Sequence, residues 1–154
     1  MPSEILAKPK TIVKPAITAG ALANGAGRLC DLIDNSVTQA AMAFVWLTFQ
    51  TGGSAPTLNT PVKLYLVRHS EDGTTDLADD GLGDADAAVA TEPSQAECLG
   101  SIRVTVATSA WYTKCFLAYD LPPGYSFVVW NAIGQALTTA TVALQVLPIV
   151  PEGQ

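Results

Sequence analysis

The chain, 154 residues long, reads as an all-β protein: an antiparallel β-sandwich, jelly-roll-like, preceded by an extended N-terminal arm. Three observations carry that expectation. Short segments alternate apolar and polar positions, clusters of Gly, Pro, Asn and Asp separate them at regular spacing, and no stretch sustains the helical period. Residues 121–137 frame the rest. Pro122-Pro123-Gly124 sets one turn, and Asn131 to Gln135 supplies the Asn and Gly of another. Between them Tyr125, Phe127 and Val129 point one way, and Ser126, Val128 and Trp130 the other. Both faces are largely apolar. This strand is therefore expected to be central and covered on both sides, with another subunit as a candidate cover for the second.

Along the chain, residues 1–28 carry Pro2, Pro9 and Pro15 and then a Gly/Ala-rich run, a composition that forbids a helix. Ile5, Leu6, Ile12, Val13 and Ile17 are too apolar for a solvated tail. The arm is expected to dock along its own body or a neighbour, with disorder until assembly as the alternative. The sandwich proper is placed at residues 29–150. Leu29 to Ile33 makes a short strand, closed by a turn at Asp34-Asn35-Ser36. The alanines after Ser36 would allow a helix, but Phe44 to Phe49 is rich in β-formers and stops at Gly52-Gly53, so a long strand is expected over 37–51. Val62, Leu64 and Leu66 alternate with Lys63, Tyr65 and Val67 in a half-buried strand. Residues 71–97 form an acidic surface loop. Strands then follow at Gly100 to Thr108, with Ile102, Val104 and Val106 inward, at Trp111 to Tyr119, at Tyr125 to Trp130, and at Thr138 to Leu147, ended by Pro148 and Pro151. The total of about seven or eight strands suits two packed four-stranded sheets.

Composition narrows the function. Charged residues are 14% of the chain and hydrophobic ones 49%, a charge-poor balance that fits a surface packed against neighbours. Eight of the fourteen acids lie between Glu71 and Glu92, and Lys8, Lys10, Lys14 and Arg28 face Glu4 alone in the arm. A basic arm and an acidic loop suit contacts with oppositely charged protein, copies of the chain included. The acidic total disfavours nucleic acid, and the longest apolar run, Ala40 to Phe49, is too short to span a membrane. The N-terminal stretch has no continuous apolar core of a secretion signal, so folding in a reducing cytoplasm is expected. Cys30, Cys98 and Cys115 have no paired spacing and read as small apolar fillers.

No catalytic constellation emerges. The single histidine, His69, reads as a strand-end surface residue, and it cannot pair with the adjacent Ser70, which points to the opposite face. Setting Gly81 at the sixth position of a calcium loop puts Asp76 and Asp80 in register but Ala78 and Ala87 where ligands are required. Asp76, Asp80, Asp84 and Asp86 thus stay a weak metal candidate, and no metal or cofactor is expected. Most aromatics sit inside strands and read as core. Trp111 and Tyr112, adjacent at a strand start, are the exposed candidates.

Three segments carry a resemblance: Val62 to Val67 with Asp72-Gly73 after it, Leu99 to Val104, and Leu121 to Tyr125 with Asn131 to Ala136. Over residues 29–147 the chain resembles tailed-bacteriophage virion proteins of the capsid decoration, or cement, type. The resemblance implies a non-enzymatic jelly roll, often a homotrimer, made in the host cytoplasm. It would sit on the capsid exterior, with the major capsid protein as partner, and bridge neighbouring subunits. The interface residues expected are Lys8, Lys10, Ile12, Val13, Lys14, Ile17 and Arg28 of the arm, with Trp111 and Tyr112. Deleting residues 1–28 is expected to leave a folded sandwich. A carbohydrate-binding jelly-roll module of a phage tail or fibre is the alternative.

Overall fold

The computed structural model describes residues 7–18, 22–69, 81–138 and 142–151. These form ten strands: β1 (Ala7–Pro9), β2 (Ala26–Leu29), β3 (Ile33–Asp34), β4 (Met42–Gln50), β5 (Pro61–His69), β6 (Ala87–Val89), β7 (Glu97–Arg103), β8 (Trp111–Tyr119), β9 (Gly124–Asn131) and β10 (Ala143–Pro151). Every pairing is antiparallel. Sheet A has the order β1-β10-β4-β8, and sheet B the order β6-β2-β9-β5-β7, with β3 also pairing β9. The chain crosses between sheets from β1 to β2, from β3 to β4, from β4 to β5 and at each step from β7 to β10, which is the jelly-roll path.

The main core lies between the sheets and follows the two-residue period. Val45, Leu47 and Phe49 of β4 meet Leu64 and Leu66 of β5 and Phe127 and Val129 of β9, all fully buried. β-Branched and aromatic residues on both inner faces make the strand outcome for Met42–Gln50 stable where alanines alone would favour a helix. Two buried asparagines fix the turns between sheets. Asn35 Nδ2 donates to Ala40 O and Pro122 O, both at 3.0 Å, and its Oδ1 accepts from Ala40 N at 2.9 Å. Asn131 Nδ2 donates to Leu22 O and Gln135 O, both at 2.8 Å. Each amide satisfies backbone groups that a buried turn would otherwise strand.

Several expectations need correction. The strand placed at Leu29 to Ile33 is two pieces, β2 and β3, separated because Cys30 N donates to Phe127 O while Asp31 N and Leu32 N turn to Ala16 O and Asp84 O. β7 ends at Arg103, so Val106 is exposed rather than inward. Pro148 lies within β10, opposite Ala43, instead of ending it; its carbonyl accepts from Lys10 N at 2.9 Å. Of the cysteines only Cys30 is a buried filler, its thiol pushed up to about 12 by desolvation, whereas Cys98 and Cys115 are exposed.

The described arm is woven into the sandwich. β1 pairs β10 through Lys8↔Val150, Val13 bridges Val146, and Arg28 is part of β2 beside the central strand. Val13 and Ile17 pack on the core, and Leu22 belongs to it. Removing residues 1–28 therefore strips an edge strand, most of β2 and the cover over Asn131. We expect that deletion to abolish the cooperative thermal transition seen by circular dichroism. A folded deletion with a near-native midpoint would contradict this placement.

Not every buried polar atom among the described residues is satisfied. Tyr125 Oη has no hydrogen-bond partner, and burial pushes its phenol up. Replacing a stranded hydroxyl with hydrogen relieves a desolvation cost of about 1–3 kcal/mol. Tyr125→Phe is expected to match or exceed the wild type in denaturant stability, and a loss above about 1 kcal/mol would contradict an unpartnered hydroxyl.

Candidate interaction surface and buried polar sites

The central strand β9 is buried at all of its eight residues. Its inner side faces sheet A. The outer side, with Val128 and Trp130, joins Leu29, Tyr65, Val67, Val89 and Ala96 in a second apolar cluster, with Leu82 packed against it. Thus the second face is covered by the chain itself, not by another subunit. The cover is the described part of the acidic segment, residues 81–96, which adds β6 to the edge of sheet B and buries Val89, Pro93 and Ala96. Tyr65 and Val67 accordingly face a dry layer, so β5 is covered on both sides rather than half-buried. The layer is close: a Cβ at Gly27 would sit 2.8 Å from Trp130 Cε3. Only glycine lets the indole lie flat over β2 at that point.

Ion pairs tie this flap down. Arg28 Nε meets Asp86 Oδ1 at 2.5 Å and Lys63 Nζ meets Glu92 Oε1 at 2.5 Å, while Arg68 Nη2 meets Glu97 Oε2 at 2.6 Å within the β5–β7 pair, just past the flap. Asp86 also accepts from Thr18 N at 2.7 Å, and Tyr65 Oη donates to Glu92. The bond from Arg28 holds the Asp86 carboxyl below the usual carboxylate range, and burial opposes it. The bonds from Lys63 and Tyr65 do the same for Glu92.

These facts relocate the sequence candidates. Asp86 is committed to the flap clamp, Asp84 lends its carbonyl to Leu32 N, and Asp76 and Asp80 lie outside the described residues. Among the described residues no group of three or more His, Cys, Asp or Glu side chains is arranged to hold a metal. Lys8, Lys10, Ile12 and Lys14 are exposed along the arm, Val13 and Ile17 are half-buried against the core, and Arg28 is part of the clamp. Trp111 and Tyr112 point to opposite faces of β8. Trp111 is 60% exposed, whereas Tyr112 stacks on Phe49 at 5.3 Å and its hydroxyl accepts from Thr105 N at 3.1 Å. They do not form one platform.

His69 is not a surface residue. It is 4% exposed, on the outer face of sheet B, with Nε2 2.7 Å from the Oγ of fully buried Ser126. The register places Val67 opposite Ser126, so His69 reaches it diagonally across the β5–β9 pair. No local pattern signals this contact, because the two residues are 57 positions apart. It satisfies the hydroxyl of a fully buried serine.

Among the described residues, a large face left uncovered is the outer side of sheet A. Register assigns to it Met42, Phe44 and Trp46 of β4, Trp111, Cys115, Leu117 and Tyr119 of β8, and Leu147 of β10, together with neutral Thr48, Gln50, Thr113, Ala143 and Gln145. None of these side chains is ionised at neutral pH. Phe44 and Trp46 meet at 6.1 Å between centroids, with Phe44 39% and Tyr119 51% exposed. A contiguous uncharged aromatic face of this kind is what a protein-docking surface requires. A concavity lined by Asn35, Gln39, Ala40 and Leu121 at one end of the sandwich has no ionisable side chain in its lining, and its Asn35 amide is already engaged. Comparison with protein-family models, with curated proteins and with solved structures gives no match.

The clamp makes stability pH-dependent with a definite sign. The Asp86 and Glu92 carboxyls sit lower in the folded state, so their contribution is complete above the unfolded values of about 4 and is lost as pH falls through the folded ones. Two partly exposed pairs contribute about 1–2 kcal/mol together. Wild type is expected to lose about that much denaturant stability between roughly pH 6 and pH 3 through these pairs. Arg28→Met with Lys63→Met should be weaker at the higher pH and show a shallower loss. Equal pH slopes would contradict the clamp.

Proposed function

We propose that this chain is a non-enzymatic structural protein that decorates and stabilises a bacteriophage capsid by bridging neighbouring capsid subunits as a homo-oligomer. The observation that carries the docking part is the uncharged, aromatic outer face of sheet A. The capsid exterior as its place, and the major capsid protein as its partner, rest on the resemblance of the strand-and-turn segments. Mechanistically, a face without ionised groups docks by excluding water and leaves no charge to be desolvated without a counter-charge. The flap covers the outer side of sheet B and the arm covers the edge of β10, which leaves the outer side of sheet A as the extended apolar face for docking.

The carbohydrate-binding alternative is weakened by the separation of Trp111 from Tyr112. It keeps a distinct outcome in the same experiment. Purified protein mixed with heads lacking it is expected to co-sediment saturably and raise their thermal resistance. Phe44→Glu with Trp46→Glu, both at exposed or half-exposed positions, should abolish co-sedimentation while the far-ultraviolet spectrum stays native. Undiminished head binding by that variant, or sugar-dependent signals on a glycan array lost with Trp111→Ala, would overturn the proposal.

A further inference from the structure

Bridging two capsid subunits needs two docking faces on one rigid body, aimed the same way, and strand β8 can supply the join. Of the described edge strands, β1 and β6 are three residues each, β1 also containing Pro9, and the β5–β7 ladder is interrupted by a register shift at Leu64/Tyr65 beside Gly100 at φ 144. These are the usual means of blunting an edge. β8 runs nine residues without a proline, glycine or register shift.

The hydrogen-bond alternation of β8 shows which of its groups face outward. Thr51 N donates to Ala110 O at 3.0 Å, which makes 51↔110 a hydrogen-bonded pair and directs the even-numbered residues of β8 toward β4. The N–H and C=O groups of Trp111, Thr113, Cys115, Leu117 and Tyr119 therefore point to the open edge. The Tyr119 carbonyl takes only a long 3.5 Å bond from Arg68 Nη2.

We propose that two copies of this chain pair antiparallel through β8 about a two-fold axis at Cys115, joining their A sheets into one. The inference rests on the reading of sheet A as a docking face and names the partner that makes it a bridge. In this register Trp111 lies opposite Tyr119 of the second copy, Thr113 opposite Leu117, and Cys115 opposite itself. Each of these residues exchanges both backbone bonds. The charge pattern fits a second copy. The outward side chains of β8 are all neutral, and the strand's one cation, Lys114, falls opposite Phe116 of the other copy, the ring type over which it already sits at 5.1 Å. The acidic flap is clamped to sheet B, and the Arg68–Glu97 pair, whose guanidinium reaches the Tyr119 carbonyl, lies at the end of the join. A two-fold axis perpendicular to the sheet leaves both aromatic faces on the same side, contiguous and doubled in width.

The test uses the full chain. Light scattering should give a dimer that dissociates on dilution, and Leu117→Pro should give a monomer. That position donates no bond to β4, so proline there removes the edge donor and spares the ladder. Should that variant misfold, cross-linking on an intact strand decides. With Cys98→Ser, Cys115 is the remaining exposed thiol, at about 5.5 Å between Cα atoms across the axis. A short-armed bismaleimide should therefore trap the covalent dimer efficiently. Thr113→Cys with Cys98→Ser and Cys115→Ser puts the thiols about 14 Å apart and should not cross-link. A wild-type monomer at all concentrations, a trimer, or equal cross-linking at 113 and 115 would overturn the pairing. Each of those results leaves the docking face standing if heads still bind the protein and release the Phe44/Trp46 variant, so the two readings fail separately.

Discussion

Everything in this molecule turns on the two-sided burial of β9. A strand with apolar residues on both faces needs two covers, and an antiparallel sandwich supplies only one. Here the second is the flap at 81–96, which lays Leu82, Val89 and Ala96 over Val128 and Trp130. The acidity of that segment keeps its outer side wet, while Asp86 and Glu92 reach back to Arg28 and Lys63 on the strands beneath. The glycine at position 27 is the counterpart on the sheet side, since only the absence of a Cβ lets Trp130 close down on β2. The arm serves the same end. It carries Arg28 into the clamp, brings Leu22 over Asn131 and closes the edge of β10.

That arrangement determines where the subunit is left open. With the outer side of sheet B sealed from within, the apolar sheet face still open to solvent among the described residues is the outer side of sheet A, and its long edge is β8. The physical asymmetry is plain: carboxylates on one side of the sandwich, and aromatics with neutral polar residues on the other. A surface of the second kind is costly for a solitary subunit and useful for one that docks. The same asymmetry sets the assignment of roles. The His69–Ser126 contact, which has the composition of a catalytic pair, is buried on the outer side of the β5–β9 pair.

The fold was legible in the sequence because its signals are local. Alternation in β5, the β-rich run in β4 and the double-sided apolarity of β9 each predict the right element within a few residues, and the turn residues predict their ends. What escaped was long-range. Nothing local tells Lys63 that Glu92 will pair with it, or distinguishes an acidic excursion from an acidic lid whose Val89 and Ala96 point inward. The arm was legible as extended but not as integral, because its pairing with β10 spans nearly the whole chain. Trp111 and Tyr112 were read together as exposed candidates, and the structure separates them, with Tyr112 packed inward on Phe49. The aromatic patch on sheet A arose only when β4 and β8 came into register.

The central claim is that the chain seals the outer face of sheet B by itself and leaves the outer face of sheet A open. Hydroxyl-radical footprinting of dilute protein, read by mass spectrometry at single residues, tests it most directly. The account predicts strong oxidation of Trp111 and Tyr119 and protection of Trp130 and Tyr65 at near-neutral pH. Oxidation of Trp130 to the same extent as Trp111 would contradict it, because the flap would then be no cover and that face too would await another protein.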